Sequence, residues 1–423
     1  MEKFISEMLR KYPKLRTFAK KSYQLSMIFI GKTLNLKGQK IDEYLGKSQC
    51  IYNDKNYFGY YDKSPWNKDN SKVLTMLVPF DDKHPEGNEY AKVGYFDNNL
   101  GKFIEIDTTN SWNLQQGCML QWIEKNNNEN IIYNKFINDK YSSIIYNMEN
   151  KEKTIIDYPI YCISKDGKFG LSVDFSRLGR LRPGYGYSNV KDYSASQLAP
   201  DNNGIWLVNL EENTSKLIIS LKDIVSFNHD KTMDGVEHKF NHIEFNPSGN
   251  RFMFLHRWRN NGIGYSRLFT ANIDGSELYC IADDIMVSHS CWKNDYQILS
   301  WARKKEIGDR YYLYTDKTDK FEIIGDGILT SDGHPSYSND GRYILTDTYP
   351  DKFRIKSLII YDTVENKKYD IAKYYAPFKY DGEVRCDFHP RWSSDNKYIS
   401  FDSVHEGGRK QYVMDNPFYK DKK

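Results

Sequence analysis

Four of the nine histidines in the sequence occupy the same position in four similar segments. Each precedes an aromatic residue by three positions, and a polar turn and an apolar strand follow. The pairs are His242 and Phe245, His289 and Trp292, His334 and Tyr337, and His389 and Trp392. Neutral imidazole is a common ligand for transition metal ions, and it is a suitable base near neutral pH. The pattern indicates a metal or proton-transfer site if the fold brings the four together. The alternative is that each histidine only forms a hydrogen bond at the start of its strand.

A second candidate segment is the insertion after the third of seven predicted blades, residues 174–197, "DFSRLGRLRPGYGYSNVKDYSASQ". Arginine binds carboxylates through two parallel hydrogen bonds, and long loops inside compact domains are often functional. Tyrosine rings offer faces on which sugars stack. The alternatives are a solvated loop or a lid against another subunit. The insertion supplies these candidates: Arg177, Arg180, Arg182, Tyr185, Tyr187 and Tyr193.

Two shorter segments add candidates for substrate binding. "NYFGYYDKSPW", residues 56–66, places Tyr57, Tyr60 and Tyr61 at the entrance of the first blade. We expect most of these tyrosines to be buried core, with Tyr61 as the candidate for substrate contact. Arg257 in "FLHRWRNNG" ends the second strand of the fourth blade and is a further candidate.

These candidates lie in a chain that repeats one pattern seven times. In each unit an apolar strand, a polar turn and a second apolar strand follow one another, with turns near residues 69, 126, 166, 248, 294, 340 and 395. Asp-Gly and similar turns between alternating strands are a strong hairpin signal. A second hairpin follows each of the first six units, and spacings of 40 to 57 residues are typical of propeller blades.

We therefore predict an all-β chain with one seven-bladed β-propeller over residues 46–423. Equivalent positions in successive blades lie on one ring, so the four histidines would meet at one mouth of the central channel. The seventh unit lacks a clear fourth strand. We expect "QCIYN", residues 49–53, to complete it and close the ring.

Residues 1–45 form a short basic helical extension in this interpretation. Residues 1–40 carry ten Lys or Arg and two Glu, and apolar residues such as Phe4, Ile5 and Phe18 recur at helical spacing. Pro13 interrupts the helix or starts its second part. A basic amphipathic helix can lie on an anionic membrane surface. The alternative is a helix packed on the outside of the propeller.

Composition excludes several classes of protein. A net charge of +3 is too small for a dedicated nucleic-acid binder. The six cysteines are scattered without zinc spacing, which indicates reduced thiols. The sequence has no apolar run of membrane-spanning length and no signal peptide. We expect a cytoplasmic protein, peripheral to the inner face of the membrane if the helix binds lipid. Phosphate-loop and nucleophile-elbow motifs are also missing.

The segments "FNHIEFNPSGNRFMFLHR", "DGHPSYSNDGRYILTDTYPD" and "HPRWSSDNKYISFDSVHEGGRKQYVMD" resemble the oligogalacturonate lyase family, within the TolB-like seven-bladed propellers. The resemblance covers roughly residues 55–415. It implies a Mn²⁺ ion held by histidines and a glutamine, with a histidine base and a nearby arginine. Carried over by position, His289, His334 and His389 are the metal ligands and His242 is the base.

The same resemblance assigns the arginine to Arg177 or Arg180, while Ser331 stands near the place of the glutamine. Arg182, Tyr185, Tyr187, Tyr61 and Arg257 complete the expected substrate site. The implied function is metal-assisted β-elimination on an acidic oligosaccharide. Two alternatives remain. One is a non-catalytic propeller that binds a glycan or protein in bacterial surface-polysaccharide biosynthesis. The other is a different carbohydrate-active enzyme, such as a glycosyltransferase.

Overall fold

Antiparallel hairpins account for most of the regular structure, as the alternation of apolar strands and Asp- or Asn-containing turns predicts. The computed structural model describes residues 13–33, 42–98, 101–125 and 128–420. Within these ranges the strands form seven separate antiparallel sheets, which are the blades of the expected seven-bladed β-propeller. Each of the seven predicted turns joins the first two strands of a blade.

Two short strands precede the first blade, and the first three blades follow in chain order. The two are β1 (Asp42–Glu43) and β2 (Gln49–Cys50). Blade 1 contains β3 (Asn56–Tyr57), β4 (Lys72–Leu77), β5 (Ala91–Asp97) and β6 (Lys102–Thr109). Blade 2 contains β7 (Gln121–Lys125), β8 (Asn128–Ile137), β9 (Lys140–Asn147) and β10 (Lys153–Ile156). Blade 3 contains β11 (Cys162–Ile163), β12 (Phe169–Val173), β13 (Gly204–Asn209) and β14 (Thr214–Ser220).

The last four blades contain the histidine segments. Blade 4 contains β15 (His238–Phe245), β16 (Arg251–Asn260), β17 (Ile263–Asn272) and β18 (Tyr279–Ala282). Blade 5 contains β19 (Val287–Asn294), β20 (Gln297–Lys304), β21 (Gly308–Thr315) and β22 (Phe321–Ile324). Blade 6 contains β23 (Ser336–Tyr337), β24 (Tyr343–Asp347), β25 (Ile355–Asp362) and β26 (Lys367–Tyr375). Blade 7 contains β27 (Arg391–Trp392), β28 (Tyr398–Ser403) and β29 (Lys410–Asp415).

The predicted closure of the ring is confirmed. β2 pairs with β29 and supplies the fourth strand of blade 7, with Gln49 opposite Val413 and Cys50 opposite Tyr412. No pattern in the sequence predicted a second such contact, in which β1 pairs with β26 and adds a fifth strand to blade 6. The outer edges of β29 and β26 are thereby paired, and the new edge strands of these two blades are only two residues long, which leaves little unpaired edge.

The insertion lies inside blade 3 and not after it. It joins β12 to β13, which pair directly, with Val173 opposite Ile205. It begins with helix α2 (Phe175–Leu181), whose first turn is capped by the Asp174 carboxylate. A further helix, α3 (Leu221–Ser226), and short 3₁₀ turns at Lys231–Met233 and Gly382–Val384 complete the connections.

The N-terminal helix in the described part of the chain is α1, Pro13–Thr33. Its described range begins at Pro13, the residue predicted either to interrupt the helix of the extension or to start its second part. The apolar positions predicted before it, such as Phe4 and Ile5, lie outside the described residues. In the ranges described, no helix combines the length and the apolar character needed to cross a membrane.

Candidate metal and substrate site

The structure brings His242, His289, His334 and His389 together, and we call them the histidine cluster. The ring centroids of His289 and His334 lie 4.2 Å apart, and those of His334 and His389 lie 4.4 Å apart. His242 stands 5.4 Å from His289. Four consecutive blades therefore contribute one imidazole each, as equivalent positions of a propeller require.

Local irregularities in the strands orient these histidine side chains toward one another. In blade 4, His242 and Ile243 together oppose Phe254, which is a β-bulge, and His242 has a φ of +54°. In blade 5 the register also shifts beside His289, between Val287 and Ser290. His389 has a φ of +43°. Bulges redirect side chains, and positive φ values in residues other than glycine concentrate at functional sites.

Residues 58–62 of blade 1 lie against the histidine cluster. The Tyr60 ring is 5.0 Å from that of His242 and 4.8 Å from that of His389. The Tyr61 ring is 5.2 Å from that of His334, and its hydroxyl hydrogen-bonds to the backbone of Ser290. Both tyrosines are buried, as expected for this segment. The segment thus fills the centre of the cluster with two rings.

A buried ion pair holds this segment in place. The Arg391 guanidinium donates to the carbonyls of Gly59 and Tyr60, at 2.6 and 2.9 Å, and to Asp402 at 2.5 Å. Asp402 in turn accepts from the backbone N–H groups of Phe58 and Gly59. Because Arg391 and Asp402 are each at most 1% exposed in their side chains, the segment is fixed by charges that water does not screen.

Three side chains of the site have the composition of a metal site. One nitrogen each of His334 and His389 and one Asp387 oxygen lie within 4.8 Å of one another. The Nε2 atoms of both histidines are buried and have no hydrogen-bond partner among the described residues. Such unsatisfied buried atoms are rare in folded proteins. Two imidazoles and a carboxylate form a donor set that suits Mn²⁺, Fe²⁺ or Zn²⁺.

The Nδ1 atoms of these histidines are held by other groups, which leaves Nε2 free. His334 Nδ1 lies 2.8 Å from the Asp347 carboxylate, and His389 Nδ1 lies 2.8 Å from the Gly59 carbonyl. His289 Nδ1 is held in the same way by Asp332 at 2.9 Å. Oriented histidines whose second nitrogen is hydrogen-bonded to carboxylate or carbonyl are typical of metal sites.

Charge states in the cluster differ with these partners. Burial lowers the pKa of His389 and of His289. Burial also acts to lower the pKa of His334, but the Asp347 carboxylate outweighs it and the pKa is raised. Burial acts to raise the pKa of Asp387, yet Arg385 and the nearby histidine keep it below its usual value. The acid is therefore ionised and available as a ligand.

His242 is different from the other three, because a hydroxyl is its neighbour. The Tyr60 hydroxyl lies 2.9 Å from Nε2 and 3.1 Å from Nδ1 of the ring. Burial, and secondarily the charge of Arg257, depress the pKa of His242 well below its ordinary value. The imidazole is therefore neutral and can accept a proton.

Four basic side chains lie beside the cluster, and we call them the cationic rim: Arg182, Lys239, Arg257 and Arg385. Arg257 donates to the Ser288 carbonyl at 2.9 Å, while its Nε is buried without a partner in the described structure. Arg385 donates to Asp387 at 2.7 Å and to the Tyr185 hydroxyl at 3.0 Å. Burial, followed by Arg257, lowers the pKa of Lys239 to about 7. Crowded cations of this kind favour an anionic ligand.

The structure separates the expected insertion residues into two groups. Arg182 and Tyr185 lie at the rim, with the Arg182 guanidinium 5.2 Å above the Tyr185 ring. Arg177 is 2% exposed, and its hydrogen bonds go to protein groups such as the His238 carbonyl. Arg180 pairs with Asp192 and Glu237.

Tyr187, also in the insertion, stacks on Phe175 at 4.6 Å. Its hydroxyl accepts a hydrogen bond from the Asn134 amide. Arg177, Arg180 and Tyr187 thus have no contact with the cluster in the described structure. Arg177 and Tyr187 hold the insertion to blades 4 and 2, and Arg180 pairs within the insertion and with Glu237 just before blade 4.

Sequence reasoning missed Asp387, Asp332 and Arg385, and it assigned Tyr60 to the core. A signal for the two acids was present, because both precede a histidine in the form Asp-x-His-Pro, at residues 332–335 and 387–390. Side chains two residues apart in an extended chain point the same way. In each case the acid interacts with the histidine of the preceding blade.

All four histidines are buried, with exposures of 7, 3, 1 and 1% for His242, His289, His334 and His389. The rim is more open, since the side chains of Arg182 and Arg385 are 33 and 16% exposed. The rim is therefore the more accessible part of the site in this conformation.

The sequence matches no protein-family model and no curated protein. Solved structures do match the fold. One is an oligogalacturonate lyase in complex with manganese, which aligns over 90% of this chain and 96% of its own with a TM-score of 0.63 and 13% identity. Another is an oligogalacturonate lyase from Vibrio parahaemolyticus, with a TM-score of 0.61, 12% identity and coverage of 90 and 98%.

TolB from Acinetobacter baumannii aligns over 82% of this chain and 80% of its own, with a TM-score of 0.40 and 11% identity. The seven sheets define the chain as a seven-bladed propeller. More particularly, its fold is shared with oligogalacturonate lyases over nearly their whole length, as the sequence resemblance predicts.

Proposed function

We propose that the protein is a metal-assisted lyase that cleaves acidic oligosaccharides by β-elimination. The observation that carries this proposal is the meeting of His334, Asp387 and His389, with two unused Nε2 atoms, beside a neutral histidine and a cationic rim. The shared fold with a lyase that binds manganese supports it.

His334, His389 and Asp387 would hold the ion, with His289 adjacent, and we propose Mn²⁺. Asp387 takes the remaining ligand position in place of the glutamine that the family resemblance implies. When bound, the ion supplies a Lewis acid that draws charge from the substrate carboxylate.

The cationic rim binds and orients the uronate. The Arg257 Nε has no hydrogen-bond partner among the described residues and the side chain is half-buried, so a carboxylate would satisfy both its charge and its donor. Arg257 thus takes the part that the sequence assigned to Arg177 or Arg180. Tyr185 is 6.2 Å from Tyr60 and extends the rim with an aromatic surface for the sugar.

His242 acts as the base. It removes the proton α to the carboxylate, a double bond forms between C4 and C5, and the C4–O bond to the leaving sugar breaks. The departing oxygen needs a proton. Tyr60 donates one from its hydroxyl and regains it from His242 through their hydrogen bond of 2.9 Å. The step is balanced without any further reactant.

Because the cluster is buried, catalysis also requires that the rim opens to admit the sugar. Arg182 and Arg385 are partly exposed, and their partners Glu383 and Asp387 lie on residues 382–387, a connection without β-strands. Movement of such a connection costs less than movement of a blade strand.

The test is an ultraviolet assay with oligogalacturonate and an elemental analysis of the purified protein. We expect manganese or a related ion in the protein and a product that absorbs in the ultraviolet because it contains a new double bond conjugated to the carboxylate. His334→Ala and His389→Ala should each lose the metal and the activity. His229→Ala, a matched change at an exposed histidine outside the site, should lose neither.

Absence of any transition metal, together with no activity gained on adding Mn²⁺, would contradict the proposal. The second candidate function is a non-catalytic propeller that binds an acidic glycan at the rim, and burial of the cluster favours it. In that case oligogalacturonate would bind without turnover, and His242→Asn would bind it as well as the unmodified protein.

A further inference from the structure

Helix α1 exposes a stripe of large apolar side chains. Phe18 and Phe29 are 70 and 71% exposed, and Leu15 and Leu25 are 52 and 53% exposed. Their spacing of three, seven and four residues places all four on one side of the helix. Ile28 is 8% exposed, so it marks a different, covered side. Among the described residues no other helix carries such a stripe, and the rest of the described structure leaves these four side chains largely uncovered.

Positive charge is concentrated in the same part of the sequence. Residues 1–40 carry ten basic and two acidic side chains, while the remaining 383 residues carry 50 basic and 55 acidic ones. The extension is thus strongly cationic and the rest of the chain is slightly anionic. Lys21, within α1, is exposed.

The charge of the extension distinguishes between the possible binding partners of this apolar stripe. A second copy of α1 would bring two strongly cationic segments together, which is unfavourable. An anionic bilayer offers both an apolar layer for the phenylalanines and negative headgroups for the lysines and arginines. A transmembrane position does not fit, because α1 lacks the apolar length to cross.

We propose that α1 lies in the surface of an anionic lipid bilayer, with Leu15, Phe18, Leu25 and Phe29 inserted among the acyl chains. The propeller is then held at a membrane through its N-terminal segment. This inference is independent of the proposed catalytic activity, because it uses none of the site residues.

The test is co-sedimentation of the full chain with vesicles. We expect the chain to bind phosphatidylcholine vesicles that contain about one third phosphatidylglycerol and to bind pure phosphatidylcholine vesicles only slightly. Binding to the anionic vesicles should weaken with added salt, because salt shortens the Debye length from about 10 Å at 0.1 M to about 3 Å at 1 M. Phe18→Ser with Phe29→Ser should lower the partition coefficient at least about tenfold, because two apolar anchors are lost.

The control is Val364→Ser, which removes a side chain that is 70% exposed on the propeller and should leave binding unchanged. The proposal is overturned if the full chain does not bind anionic vesicles, or if the double variant binds as well as the control. It is also overturned if sedimentation velocity shows a dimer that the double variant dissolves while vesicles capture nothing. Metal content, measured in parallel, should not differ among these proteins.

Discussion

At the scale of single residues, the proposed chemistry depends on one imidazole that stays apart from the metal ligands. His242 is separated from the others by its partner, since Tyr60 approaches both of its ring nitrogens. The two ligand histidines have their Nδ1 atoms fixed and their Nε2 atoms free. The same residue type therefore serves two purposes, decided by what each nitrogen contacts.

Replacing His242 with asparagine should separate these purposes. We expect kcat for oligogalacturonate cleavage to fall by about 10²- to 10⁴-fold, the usual contribution of a positioned base, while the metal content stays unchanged. Initial rates and elemental analysis of the variant and of His229→Asn measure both quantities. Retained activity in His242→Asn would assign the base elsewhere.

Lys239 should give the protein a characteristic dependence of stability on pH. Its pKa is about 7 in the folded chain and about 10.4 in the unfolded chain, so between these values the unfolded state binds an extra proton. The free energy of unfolding should therefore rise as the pH increases from about 7 to about 10. This group contributes up to about 1.4 kcal/mol per pH unit to that rise.

Urea denaturation of the unmodified protein and of Lys239→Met between pH 7 and 9.5 measures this contribution. The variant should be the more stable protein at pH 7, and the difference should shrink as pH rises. If the two proteins show parallel pH profiles, Lys239 is not desolvated in solution. A bound uronate should reduce the slope, because a carboxylate would keep the lysine charged.

At the scale of structural elements, residues 58–62 have the largest influence on the site. They interrupt the inner edge of blade 1 between β3 and Trp66, which forms an isolated bridge with Val73. The interruption allows Tyr60 and Tyr61 to reach histidines of four other blades. Arg391 and Asp402 of blade 7 hold the segment through hydrogen bonds to its backbone.

Arg391→Met should therefore lower the free energy of unfolding by about 3–5 kcal/mol, because it leaves Asp402 buried without its partner. Denaturant titration measures this loss. The double variant Arg391→Met with Asp402→Asn should recover part of it, since the unpaired charge is gone. Equal stability of the double and the single variant would show that the carbonyl contacts of Arg391, and not its charge, hold the segment.

Much of the fold could be predicted from sequence because it repeats. Seven turn signals, all but one interval of which are 40 to 57 residues long, define seven blades, and the missing strand of blade 7 pointed to residues 49–53. β1 could not be foreseen in the same way, since Asp42–Glu43 is too short to show an alternating pattern. The pairing register between segments that are distant in the sequence is set by tertiary contacts, and no local sequence pattern reveals it.

The site was predictable where it follows the repeat and not where it departs from it. The histidine cluster follows from blade equivalence. The position of Arg257 and Lys239 depends on strand pairing, because the two lie directly opposite each other in β15 and β16. Arg177 and Arg180 were predicted as site residues because they lie in an arginine-rich insertion. In the structure the fold of the insertion directs them to carbonyl and carboxylate partners.

At the scale of the whole molecule, metal binding and folding should be coupled. An ion that binds only the folded protein stabilises it by about 2.7 kcal/mol at one hundred times its dissociation constant. We expect Mn²⁺ to raise Tm and a chelator to lower it. Scanning calorimetry of Asp387→Asn should show a much smaller metal-dependent shift, whereas Asp340→Asn, a change at a turn of blade 6, should respond like the unmodified protein. An unchanged shift in Asp387→Asn would remove this residue from the ligand set.

The pairing of Gln49 with Val413 joins a strand that is synthesised before blade 1 to a strand that is synthesised after blade 6. The strand that completes the ring therefore leaves the ribosome before all of blades 1 to 6, and its partner leaves after them. Blades 1 to 6 can form while synthesis continues, but the ring can only be sealed afterwards. Until then the nascent protein keeps an open seam, and this interval is when it most needs protection from other chains.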